Sequence, residues 1–268
     1  MADRPVTVDP LSLVSLLLQT RCNGQHLSYA TGFFVPKDGK DYLVTNWHVL
    51  TGRNHQTNEP LSNTAGLPDE VILHYHVWFE ENGQRRTGLG RAIEPLKDAA
   101  GMPRWHEHPD GAKVDVVALP VANPDERVTR FPLDLALSDT DLFAGVGETV
   151  SIIGYPFGLT GGGLFPVWKT GHIASEPEVD YDDSPVFLVD ATTRPGMSGS
   201  PVVRRFAGFG YRTRGGFEMI ASSTLSAGSS ALTRFMGVYS GRVREEAEIG
   251  RVWKPQVIEQ ILGATPSS

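Results

Sequence analysis

Short apolar runs cut apart by Gly, Pro, Asn and Asp recur along the chain, a pattern of strands joined by turns rather than of long helices. Residues 13–35 read as two strands about the turn Asn23-Gly24, the second ending in TGFFV. Pro36-Lys37-Asp38-Gly39 then turns the chain into a third strand over 42–45. Residues 71–80 and 85–93 alternate about Asn82-Gly83, a dipeptide whose tolerance of positive φ favours a hairpin. Residues 51–70, polar and rich in Asn, Thr and Pro, form a long surface loop, and the apolar run 114–121 reads as a buried strand. Beyond a mixed, proline-bearing stretch at 122–139, strands are expected over 149–155, 167–174, 186–190, 200–203, 218–223 and 235–240. Near the end Pro255 suits a first helical turn, Val257, Ile258, Ile261 and Leu262 share one face, and Gly263 suits a cap. A helix is therefore expected over 254–262, in a chain whose fold class is otherwise all-β.

Length and charge narrow the picture. The 268 residues are enough for about two packed cores, and the stretch at 122–139 divides them into units 1–125 and 126–268. No internal repeat is visible. The net charge of −7, from 24 basic and 31 acidic residues with no basic run, would repel a phosphate backbone, so nucleic acid is not expected as a partner. The single cysteine, Cys22, rules out an intrachain disulfide, so core packing alone must hold the fold. The apolar stretch 11–18 is preceded by Asp3, Asp9 and Pro10, is followed by no small-residue cleavage site, and is too short to span a bilayer. It is read as a helix or strand packed on the first unit, in a cytoplasmic protein without a membrane partner.

The candidate chemistry lies in FLVDATTRPGMSGSPVV, residues 187–203. A serine flanked by glycines in a tight bend can present its Oγ outward beside unpaired backbone N–H groups, as a nucleophile next to an oxyanion site requires. A hydroxyl is a weak nucleophile at neutral pH; it needs a base within reach and a carboxylate to orient that base. His48, closing the run YLVTNWHVL, and Asp115, opening DVVALPV, supply both types, and Asp110 is the competing carboxylate. Asp115 is preferred because it begins an apolar strand, where burial against an imidazole is available.

The motifs TGFFV, LVTNWHV, DVVALPV, GETVSIIGYPFG, TTRPGMSGSPVV and MGVYSGR, in that order, resemble the trypsin-like serine peptidases, in particular the disulfide-free bacterial HtrA-like proteases and glutamyl endopeptidases. The resemblance implies two antiparallel six-stranded Greek-key β-barrels, with a C-terminal helix docked on the second. It also implies a serine endopeptidase acting on protein or peptide substrates without a cofactor. Ser198 would be the nucleophile, His48 the general base and then acid, Asp115 the orienting carboxylate, and the N–H groups of Gly196 and Ser198 the oxyanion hole. Thr192 and Thr193 would lie at the base of the substrate pocket and Tyr239, Ser240 and Gly241 along its facing wall. With no carboxylate at that base and Tyr239 where a glutamate-selecting histidine would stand, a small or apolar residue is expected before the scissile bond. Met197 stands where animal digestive enzymes carry an aspartate that pairs with a new N-terminus, so activation by N-terminal cleavage is not implied. Ser200, in place of the second glycine of GxSGGP, also occurs in the glutamyl endopeptidases. The competing reading is a catalytically silent member of the same fold that binds peptides.

Three further groupings have plainer explanations. His74 with His76 and His106 with His108 could each turn two imidazoles to one side, as a metal site needs, but strand and loop alternation produce the same spacing, and no metal is expected. The glycine-rich 158–163 lacks the Gly-Lys-Ser/Thr ending of a phosphate loop. Glu176, Glu178, Asp180, Asp182 and Asp183 read as a solvated acidic loop rather than a calcium site.

Overall fold

The computed structural model describes residues 7–62, 66–123, 125, 127–208, 210–219, 231–244 and 246–263. The first half builds one antiparallel sheet from β1 (Ser15–Cys22), β2 (Gln25–Lys37), β3 (Lys40–Thr45), β4 (Glu70–Glu81), β5 (Gln84–Pro95), β6 (His106–Glu107), β7 (Val117–Val121) and β8 (Val128–Arg130). Their order is β5-β4-β1-β2-β3-β7-β6, with β8 paired to β4. The turns at Asn23-Gly24, Asp38-Gly39 and Asn82-Gly83 have positive φ at both residues, the geometry that matches the twist of tight hairpins. The last of these holds β4 and β5 in unbroken register from Glu81↔Gln84 to Glu70↔Pro95. The apolar stretch at the N-terminus continues into β1, between β2 and β4. Six of the eight strands are the runs legible in sequence; β6 and β8, two and three residues long, are too short to show a period.

The second half is a closed barrel of β9 (Thr149–Gly154), β10 (Val167–Ile173), β11 (Val186–Asp190), β12 (Pro201–Ala207), β15 (Ala231–Arg242) and β16 (Ile249–Trp253). A separate hairpin pairs β13 (Gly210–Thr213) with β14 (Gly216–Met219); the rest of the strand expected to 223 lies outside the described residues. Alternate barrel residues serve two cores. Val150, Ile152, Phe187, Val189, Val202 and Val252 pack with one another. Their neighbours Ile153, Val186, Val203, Phe235 and Trp253 join Leu16, Leu18, Phe33, Val44 and Leu119 of the first sheet. Both faces of these strands are thus buried, and β9, β11, β12 and β15 read as apolar runs for that reason; β16, IGRVW, is interrupted by Gly250 and Arg251 and shows no such run in the sequence.

The helix expected at the end is α2 (Gln256–Gly263), following the short α1 (Trp47–Thr51) in chain order. Its apolar face, Val257, Ile258 and Ile261, enters the shared core with Val117 and Leu119 of β7. Gln260 Oε1 lies 2.8 Å from His108 Nε2. Helix α2 therefore reaches back onto the first sheet, rather than resting on the barrel alone, and ties the chain's end to the segment that carries Asp115. No helix among the described residues is long and apolar enough to cross a membrane.

Candidate active site

His48 sits in α1, directly after β3. Asn46 is extended before the helix, and Gly52 closes it at φ 66 by donating its N–H to His48 O. Asp115 lies two residues ahead of β7 and is wholly buried. One carboxylate oxygen, Oδ1, accepts from the His48 backbone N–H at 2.9 Å, while Oδ2 lies 2.7 Å from His48 Nδ1. Ser240 Oγ, 125 residues further along the chain, donates to the same Oδ2 at 2.7 Å. Asn46 Nδ2 fixes the backbone by donating to Asp115 O at 2.7 Å.

Burial pushes the Asp115 carboxyl up, but the charge of His48, its two hydrogen bonds and the charge of His55 together outweigh that and hold it below the usual carboxylate range. An anion at Oδ2 requires a proton on His48 Nδ1, which leaves Nε2 as the free base. Asp110 does not compete: its side chain is two-thirds exposed (67%), and its N–H donates to His108 Nδ1.

Ser198 lies in the bend between β11 and β12, half-buried, and lines a cleft with His48 and Gly196. No hydrogen bond joins Ser198 Oγ to the imidazole. Gly196 has φ +96, and a Cβ there would stand 2.3 Å from Tyr155 O, so no other residue fits. Gly199 is equally constrained, by Thr31 O at 2.0 Å. The Pro195 carbonyl accepts from Phe157 N at 2.6 Å. In a trans peptide the Gly196 N–H points opposite to that carbonyl, hence away from Phe157. Neither this N–H nor that of Ser198 has a partner among the described residues. Two N–H donors without a partner beside a serine are the groups that stabilising a developing oxyanion calls for.

Thr31 couples this bend to the first sheet. Its N–H donates to Ser198 O and its hydroxyl to Gly196 O, both at 2.8 Å, while the same hydroxyl accepts from Tyr155 N at 3.1 Å. Phe157 is held at φ 55, an uncommon conformation for a bulky side chain and a mark of local strain next to the site.

The residues expected to form the pocket are placed unevenly. Thr192 is exposed, whereas Thr193 is buried and hydrogen-bonded to the Tyr239 hydroxyl. The Tyr239 ring belongs to the barrel core, and burial pushes its phenol up to about 12. Ser240 is turned to Asp115, and Gly241, at φ 92, lines a smaller cavity with His48 and Ser198. Met197 is fully buried in the barrel core.

Nothing in the sequence singles out Thr31, Asn46 or Phe157 for a role here, and Ser240 reads there only as a pocket wall. Nor does the sequence mark His55, whose ring lies edge-on to Trp253 at 6.2 Å. Burial lowers its pKa against the opposing pull of Asp115. Residues 51–70 gave no periodic signal that could have singled it out. The histidine pairs have other partners: His76 stacks on Phe165 at 4.7 Å and bonds to Gly163 O, and His108 is bonded to Gln260. In the acidic loop Glu178 pairs with Arg214, and Asp180 with Lys254.

The family model for trypsin-like peptidase domains matches residues 30–208. Among solved structures the chain is similar to the Rv3671c protease of M. tuberculosis in its active form, 17% identical over 96% of this chain and 83% of that one, with a TM-score of 0.49. It is similar to the protease Anisep from Arthrobacter nicotinovorans, 15% identical over 93% of each chain, TM-score 0.47. The thermostable serine protease AL20 from an extremophilic microorganism is 13% identical over 97% of this chain and all (100%) of that one, TM-score 0.49. No curated protein matches the chain.

Proposed function

Because the chain belongs to the trypsin-like peptidase family, we propose that it is a serine endopeptidase working through an acyl-enzyme on Ser198, with His48 and Asp115 completing the triad. The observation that carries this reading is the buried Asp115 carboxylate gripping both the backbone N–H and Nδ1 of His48, at 2.9 and 2.7 Å. Ser198 Oγ attacks the scissile carbonyl carbon as His48 Nε2 takes its proton. The oxygen, now an anion, is received by the Gly196 and Ser198 N–H groups, each such donor worth on the order of 3 kcal/mol. His48 then hands the proton to the departing amine, the C–N bond breaks, and water repeats the sequence in reverse to release the acid. We read residues 1–125 as the unit carrying His48 and Asp115 and 126–268 as the unit carrying Ser198, with β8 at Val128–Arg130 reaching back to pair with β4 of the first sheet, so catalysis takes place at their junction.

The test is hydrolysis of an unfolded protein substrate by the purified chain and by Ser198→Ala. The variant should lose activity on the order of 10⁶-fold in kcat, the scale observed when a catalytic serine is removed, with its circular dichroism unchanged. A Ser198→Ala protein that still cleaves as fast as the parent would end the assignment. A parent with no hydrolysis at all would favour the silent, peptide-binding reading.

A further inference from the structure

Two cavities flank Ser198. The larger, about 480 Å³, has Leu27, Tyr29, Val49, Leu61, Pro68 and Pro195 among its walls and is bounded by both His48 and Gly196. The smaller, about 210 Å³, also touches His48 and Ser198 but is lined by Asp115, Ser240, Gly241, Arg242 and Arg251.

The stereochemistry at the acyl carbon assigns them. A tetrahedral carbon on Ser198 Oγ turns its oxyanion to Gly196 and its departing nitrogen to His48, so its remaining substituent, the acyl-side Cα, points away from both. The cavity that contains both His48 and Gly196 therefore faces the departing amine. Among the described residues its lining carries no carboxylate, lysine or arginine to pair with a charged residue, which would lose its hydration without compensation.

On the acyl side the space between 192–196 and 239–242 is taken by the protein itself. The Tyr239 ring is buried, its hydroxyl is bonded to Thr193, and a Cβ at position 250 would lie 2.4 Å from the ring. The room that Gly250 leaves is filled by this phenol rather than left for substrate.

We propose that the larger cavity is the subsite for the residues immediately after the scissile bond, and that it selects a large apolar side chain there. The inference rests on the peptidase reading of Ser198. Selectivity lies on the amine side because that side offers the larger cavity, walled mainly by apolar side chains, while the acyl side keeps only the smaller cavity lined by Asp115, Arg242 and Arg251, with Tyr239 filling the space beneath it.

The experiment reads both sides of every bond cleaved by the full chain in a proteome-derived peptide library, by mass spectrometry. Leu, Phe, Met or Tyr at the first or second position after the bond should be favoured at least about tenfold in kcat/KM over Gly or Asp, the scale set by apolar pockets. Leu27→Asp, at a partly exposed position on β2, should abolish that preference and admit Lys or Arg. Selection confined to the residue before the bond, with a flat profile after it, overturns the inference and leaves the peptidase reading standing. The parent's profile decides this whether or not Leu27→Asp folds. No cleavage, with Ser198 unlabelled by a fluorophosphonate, would overturn the peptidase reading and this inference with it.

Discussion

A carboxylate sealed from water persists as an anion only where donors replace the solvent it has lost. Asp115 has three such donors, two from His48 and one from Ser240. Asp115→Asn would keep the shape but offer a donor where Nδ1 needs an acceptor, and we expect kcat to fall at least about a hundredfold. Asp110→Asn, on the exposed side chain beside His108, should stay close to the parent. The reverse ranking in steady-state kinetics would refute the triad as drawn. Since the Asp115 carboxyl is held below the usual range, it stays ionised at neutral pH. The profile of kcat/KM against pH should accordingly show no step from Asp115 near neutral pH; a step there that Asp115→Asn removes would contradict it. His48 and Asp115 stand out as candidates in the sequence because each borders an apolar run, and Ser198 because glycines flank it in a turn. The Ser240 hydroxyl does not, since nothing in a linear pattern relates it to a carboxylate 125 residues away.

Between elements, the connection that matters most is the one Thr31 makes from β2 to the serine bend. Replacing its hydroxyl by a methyl in Thr31→Val would leave Gly196 O and Tyr155 N without their partner inside the protein. Denaturant unfolding should show a loss of about 1–3 kcal/mol, the cost of a buried polar group left unpaired. The kcat should fall more than KM changes, because the loosened bend also carries the unpartnered Gly196 and Ser198 N–H groups. A variant as stable and as fast as the parent would show that the bend holds its shape without Thr31. Hairpins with Asn-Gly or Asp-Gly turns were legible element by element, since those dipeptides mark positive φ. The docking of α2 against β7 was not, because the periodicity of Val257, Ile258 and Ile261 reveals an apolar face without revealing what it meets.

At the scale of the molecule, burial lowers the pKa of His55, His74 and His76, so the folded chain resists protons that the unfolded chain accepts. Groups depressed in this way favour the folded state above their unfolded pKa, and that contribution is lost as pH falls through the folded value. The melting temperature should therefore decline from about pH 6.5 downward, with Asp115 adding to the loss below about pH 4. A melting temperature unchanged between about pH 7.5 and 5.5 would show that these histidines titrate alike in both states. The central claim concerns what the assembled halves do together: the serine bend of the barrel and the imidazole of the first sheet make one nucleophile. It is tested most directly by treating the native protein with a fluorophosphonate and mapping the adduct by peptide mass spectrometry. The account predicts one adduct, on Ser198, absent from His48→Ala; an unmodified Ser198, or labelling that persists without the imidazole, would contradict it.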